Sequence, residues 1–146
     1  MLFKRLNRTD AERVFSVFQA NVANIAADDV VQLEMTAASV DGVKIVQPTS
    51  AQLNGTVGIA DAAIANGAYG LVQIYGYRST SRILQSGSTL PIGVALVPVA
   101  AQDWLDTLSL AGLAGLAFPL FTLLETAQSA IGANSTVSKK IFIRAM

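Results

Sequence analysis

The chain has 146 residues, no cysteine, no histidine and a formal net charge of zero at neutral pH. This composition excludes disulfides, thiolate chemistry and the usual histidine general base or metal ligand, and no excess of positive charge points to nucleic acid. A chain of this length fits one domain. We expect a basic N-terminal arm over residues 1–12 and a single β-rich domain over residues 13–146.

The arm begins with the basic residues that are typical of a signal peptide. The apolar core that a signal peptide needs does not follow, because Asp10, Glu12 and Arg13 interrupt it. We therefore interpret residues 1–12 as a solvated or partner-binding arm.

Short apolar runs separated by turn residues follow the arm and predict a mainly β protein with an antiparallel barrel or sandwich. Asp41-Gly42 and Asn66-Gly67 predict tight turns, because glycine tolerates a positive φ. Residues 83–90 are expected to form a polar hairpin-like link. The predicted strands cover residues 14–18, 30–35, 43–46, 53–60, 69–77, 91–96 and 139–144.

Charge is scarce in the middle of the chain. Residues 45–138 hold six charged side chains, whereas a stretch of this length in an ordinary domain holds roughly two dozen. Uncharged surface on this scale indicates cover by a partner, by further copies of the chain or by lipid. The six residues are Asp61, Arg78, Arg82, Asp103, Asp106 and Glu125.

The uncharged run over residues 108–124 allows two interpretations. Its length is near the lower limit for a transmembrane helix. Pro119 and two glycines interrupt it, however, and no lysine or arginine near its ends would set an orientation. We favour a buried or intersubunit segment, part strand and part loop. A short helix is expected over residues 120–131, ending at Gly132.

Few residues are candidates for chemistry. Asp103 and Asp106 flank Trp104, and paired carboxylates serve glycosidases. Acids near the N-terminus of a helix are the simpler interpretation. Asp28 and Asp29 lack the spacing of a calcium-binding loop and are interpreted as loop acids. No catalytic, metal or cofactor site is predicted.

An aromatic and basic cluster lies at the end of the strand over residues 69–77. Tyr75, Tyr77, Arg78 and Arg82 are able to stack on a base or sugar and pair with it. Arginines at a strand end more commonly form interface or surface pairs, which is the interpretation we favour.

Two segments resemble small virion structural proteins of tailed bacteriophages. Residues 58–60 form a Gly-apolar-Ala strand, and residues 64–76 follow the pattern Ile-Ala-x-Gly-x-Tyr-Gly-apolar-x-Gln-x-x-Gly. The closing residues 141–146 are similar to the common ending of those proteins. The resemblance implies a capsid-associated decoration or cement protein that is small, β-rich and oligomeric, and it carries over no catalytic residue or cofactor.

From this resemblance we expect a non-enzymatic protein on the capsid surface, bound to the major capsid protein. A homo-oligomer is expected, with a trimer favoured. We expect no contact with nucleic acid or with a membrane. The alternative is a host- or carbohydrate-binding module that uses Trp104, Tyr75 or Tyr77. The candidate assembly contacts are Tyr69, Leu71, Tyr75, Tyr77, Arg78, Leu113, Phe118 and Phe121.

Overall fold

The computed structural model describes residues 12–35, 41–49, 53–85, 89–107, 121–127 and 135–145. Eleven strands lie within these ranges, where the single helical element is a 3-10 turn at Leu53–Gly55. The prediction of a mainly β protein is confirmed. In chain order the strands are β1 (Arg13–Ala20), β2 (Val30–Leu33), β3 (Lys44–Val46), β4 (Thr56–Ala60), β5 (Tyr69–Arg78), β6 (Arg82–Gln85), β7 (Ala95–Pro98), β8 (Leu105–Thr107), β9 (Phe121–Leu123), β10 (Ser135–Ser138) and β11 (Ile141–Arg144).

The first five strands close into a barrel. Their order is β1, β3, β2, β4 and β5, and β5 pairs back onto β1. The pairing of β1 with β3 is parallel, whereas the other pairings of the ring are antiparallel. The prediction of a purely antiparallel sheet was therefore wrong. After the reversal at Gly42, β3 runs in the same direction as β1 and lies beside it.

The remaining strands form an outer sheet that continues from β5. One edge of β5 pairs with β1, and the other edge pairs first with β4 and then with β11. From β11 the sheet runs on through β9, β7, β8, β6 and β10, with β6 and β8 parallel. Gly76 has φ +98° near a register shift between β1 and β5, and a side chain there would overlap the backbone oxygen of Glu12. Glycine is therefore required where β5 leaves the barrel.

Two apolar cores result from this arrangement. Strands β2 and β4 contribute to both, because alternate side chains point to opposite faces. The barrel core receives buried side chains from every strand of the ring: Phe18, Ala20, Val31, Ile45, Ala60 and Val72, with Ile25 and Ile64 from the loops. The second core lies between the barrel and the outer sheet and contains Val30, Ile59, Ile83, Leu90, Leu96, Leu105, Phe121, Leu123, Ala127, Ile141 and Ile143.

The helix expected over residues 120–131 is contradicted where the chain is described. Phe121 and Leu123 are buried on either side of Thr122, which is the alternation of a strand, and β9 pairs with both β7 and β11. Residues 128–131 and the greater part of the 108–124 run lie outside the described residues. No helix in the described part of the chain has the length and apolar character needed to cross a membrane.

Two other segments also differ from expectation. The predicted polar link over residues 83–90 contains most of β6, because Ile83 is fully buried and pairs with both β8 and β10. The strand predicted over residues 91–96 begins at Ala95, after a turn in which Gly93 has φ +90°. The division into an arm and one domain stays a prediction.

Candidate functional site

An exposed apolar face lies on the outside of the barrel, where β1 pairs with the first half of β5. Buried Phe18 and Val72 point into the barrel, so their neighbours in the strands point outward. Val17 and Leu71 are direct cross-strand partners and are 56% and 49% exposed. We call this surface the β1–β5 face. It consists of the exposed Val17, Tyr69 and Leu71 and of the partly buried Phe15 and Gln19.

The aromatic cluster expected from the sequence lies further along β5. Tyr75 packs edge-on against Phe142 of β11, with ring centroids 5.3 Å apart. The guanidinium of Arg13 lies 5.9 Å above the ring of Tyr77, and that of Arg144 lies 5.8 Å above Phe142. Both tyrosines are partly buried. Edge-to-face and cation–π contacts within the chain therefore hold both rings in place.

Arg78 does not reach the surface. Its side chain is 7% exposed and donates five hydrogen bonds, each to a segment that belongs to the barrel or to its connection with the outer sheet. Such a fork satisfies a buried guanidinium because every donor direction has an acceptor. The acceptors are the Asp28 carboxylate (2.5 Å), the Ala60 carbonyl (3.0 Å), the Asp61 carboxylate (3.4 Å), the Gln73 side-chain oxygen (3.3 Å) and the Thr80 carbonyl (2.8 Å).

Arg82 forms a second ionic group beside the first. It pairs with Asp103, and its Nη1 lies 3.6 Å from Oδ1 of Asp29. The Asp29 carboxylate is buried and receives a hydrogen bond from the backbone N–H of Ala26. Burial raises the pKa of Asp29 and Asp103 adds to the effect, whereas the Ala26 hydrogen bond and Arg82 oppose it. The network joins the turn before β2 to the segment before β8.

All six charged side chains of the charge-poor stretch are engaged within the chain. Asp61 and Arg78 belong to one ionic group, and Arg82 and Asp103 belong to the other. Glu125 pairs with Lys140, with 3.6 Å between Oε2 and Nζ, and Asp106 accepts a hydrogen bond from the backbone N–H of Thr107. The few charges of this stretch therefore serve the fold.

The predicted assembly residues fall into four groups of two. Tyr69 and Leu71 lie together on the exposed β1–β5 face, and Tyr75 and Tyr77 lie beyond it on the same strand. Arg78 and Phe121 are buried, the first in ion pairs and the second in the core between barrel and sheet. Leu113 and Phe118 lie outside the described residues. Sequence reasoning missed Val17, whose position in the strand over residues 14–18 was the available signal.

The carboxylates considered for catalysis do not act together. Asp103 faces Arg82, whereas Asp106 lies in β8 and bonds its own neighbour, so the expected helix N-terminus is a strand instead. No group of three or more acidic side chains in the described ranges is arranged to hold a metal ion. A shallow cleft at one end of the barrel is lined by Asn24, Ile25, Ala63, Ile64 and Ala65, none of which titrates.

Comparison with known proteins gives a likeness in fold and none in sequence family. No protein-family model and no curated protein sequence matches the chain. The fold is similar to the crystal structure of the head fiber gp8.5 N base in bacteriophage phi29, with a TM-score of 0.52. The match covers 92% of this chain and 96% of that chain at 13% sequence identity. The two chains therefore share their fold across nearly their whole length.

Proposed function

We propose that the chain is a non-enzymatic structural protein of a tailed-phage head, of the decoration or cement type. The observation that carries the proposal is the fold shared with a phage head fiber base over almost all of both chains. The phage-like block over residues 64–76 supports the same class independently, because it is a pattern of residues and does not depend on the fold.

The chemistry of the described residues agrees with an assembly role. The charged groups of the middle stretch hold the fold together, and an apolar face is left exposed on the barrel. In this proposal the protein sits on the capsid surface, contacts the major capsid protein and forms a homo-oligomer, with a trimer favoured. Many small contacts repeated by capsid symmetry would then reinforce the shell.

Sedimentation of the purified protein alone and with intact phage heads from which this protein has been removed tests this role. The protein is expected to co-sediment with heads at a fixed stoichiometry set by the symmetry of the shell. An unrelated protein of similar size serves as the control for trapping. Failure of the protein to bind heads at any concentration would reject the proposal.

The carbohydrate-binding alternative is less well supported by the structure. A stacking platform needs exposed rings, whereas Trp104 is partly buried with its indole N–H in the interior, and Tyr75 packs against Phe142. Binding to host glycans that is lost in Trp104→Ala, together with absence of head binding, would favour this alternative.

A further inference from the structure

We propose that the β1–β5 face is the docking surface of this protein and that its occupant is an uncharged apolar site on the assembled protein shell. The inference rests on the proposed head-structural role, and it names the surface and the chemistry of the partner.

Large apolar side chains lie exposed next to one another on this face. Val17 and Leu71 face each other across two strands, and Tyr69, which is 64% exposed, is the next outward residue of β5. Exposed apolar residues that are scattered singly need no explanation, but contiguous ones mark interaction sites on monomeric folds.

In the described part of the chain, the outer sheet covers one side of the barrel and does not reach the β1–β5 face. The outward side chains Val30 of β2 and Ile59 of β4 lie beneath the outer sheet, in the second core. The outer sheet departs from β5 at its C-terminal half, where β11 pairs. No described strand packs over Val17 and Leu71, so this face is open to a partner.

The absence of charge on the face restricts the chemistry of its partner. The five residues of the face are uncharged, and the charges at its margins are already partnered. Lys44, beside Gln19, lies 3.3 Å from Asp41, and Arg13 lies over the ring of Tyr77. A complementary partner is therefore apolar and uncharged, and binding is expected to be insensitive to salt, because exposed charges contribute little to it.

The size of the face favours the shell over a second copy as the occupant. A stable two-body interface uses about 20–30 residues on each side. The β1–β5 face supplies five, which is too few to hold a dimer in dilute solution. A contact this small becomes effective when a symmetric shell repeats it and other contacts of the same protein act with it.

Lysine substitutions on the face test the proposal. Val17→Lys and Leu71→Lys are expected to weaken head binding by about tenfold or more, because each would bury an unpaired ammonium. Ile92→Lys is the matched control, because Ile92 is 64% exposed in a turn of the outer sheet. Head binding of that variant is expected to stay within about twofold of wild type. Val17→Thr keeps the β-branched shape, and a smaller loss is expected.

Binding is measured by co-sedimentation with intact heads from which this protein has been removed, at low and high salt, with urea unfolding as the check on folding. If both lysine variants bound heads as wild type does, the β1–β5 face would not be the docking surface, and the proposed function would be unaffected. If the protein self-associated in solution, and Leu71→Lys abolished this association but left head binding unchanged, the occupant of the face would be a second copy and not the shell. Absence of wild-type head binding would reject the proposed function itself.

Discussion

Arg78 and Asp28, fifty residues apart in the sequence, form a 2.5 Å ion pair that joins the end of β5 to the turn before β2. The same guanidinium bonds the Ala60 carbonyl at the end of β4. One buried side chain thus ties together three segments of the barrel at the place where the outer sheet departs. A residue placed in this way is expected to govern the stability of the fold.

Arg78→Met is expected to lower the free energy of unfolding by about 3 kcal/mol, because the acceptors of the guanidinium lose their donors and cannot all reach water. Asp28 and Asp61 are partly exposed and regain some hydration, which keeps the loss below that of a fully buried pair. Urea unfolding followed by the fluorescence of Trp104, the single tryptophan, measures the change.

Lys140→Met is the matched control for that substitution. Lys140 pairs with Glu125 at the surface, where its side chain is half exposed. Exposed ion pairs contribute less than about 1 kcal/mol. Equal losses in the two variants would show that the Arg78 network is no more important than a surface pair.

The sequence predicted the strands and turns of the barrel because their signals are local. The apolar runs of β1, β2 and β5 alternate or begin beside turn residues, and both predicted turn glycines have positive φ, +71° at Gly42 and +78° at Gly67. The parallel pairing of β1 with β3 was missed, because nothing within either segment encodes which distant strand lies beside it. Strand β9 was predicted as a helix, because the period of two is hidden where nearly every residue of the run is apolar.

The sequence predicted only some residues of the β1–β5 face, because only some of them belong to a local pattern. Tyr69 and Leu71 belong to a pattern visible along β5, but their partner Val17 is brought to them only by the closure of the barrel. Arg78 was assigned to an interface because arginines at a strand end commonly form interface or surface pairs. Its burial depends on Asp28, Asp61 and Gln73, whose proximity is a property of the fold.

Asp29→Asn is expected to change the pH dependence of stability. Burial raises the pKa of Asp29 in the folded state, so the protonated form is favoured there, and the contribution of this residue is lost as pH rises through that raised pKa. Asparagine does not titrate. The stability of the variant relative to wild type is therefore expected to increase from about pH 4 to neutral pH, as measured by urea unfolding across that range.

Asp41→Asn provides a control of opposite sign. Hydrogen bonds from the backbone N–H groups of Val43 and Lys44 lower the pKa of Asp41, so its contribution is present above the ordinary aspartate pKa and is lost as pH falls. The relative stability of this variant is expected to decrease as pH rises over the acidic range. The same trend in both variants would contradict the assigned causes.

Gly76→Ala is expected to be severely destabilising, because two costs combine. The backbone has φ +98°, and an added Cβ would overlap the backbone oxygen of Glu12. The left-handed conformation costs an L-residue about 1–2 kcal/mol, and crowding that displaces a neighbouring backbone adds about 1–3 kcal/mol. Gly67→Ala is the control, because Gly67 has φ +78° with open space around it and incurs the first cost alone. Thermal or urea unfolding measures the stability of the two variants. Equal losses of stability would mean that the backbone of β1 shifts to accommodate the added methyl group at position 76.

Val22→Gly is expected to stabilise the protein. Val22 follows β1 with φ +75° and is 75% exposed, so a β-branched residue occupies a backbone conformation that is unfavourable for it without the benefit of burial. Relief of the strain exceeds the entropy that glycine adds to the unfolded chain, for a net gain of about 1 kcal/mol. Val17→Gly, in the extended backbone of β1, is expected to lose about the same amount because only the glycine cost remains. If urea unfolding showed both variants to be destabilised, the Val22 side chain would have to make a stabilising contact that outweighs its strained backbone.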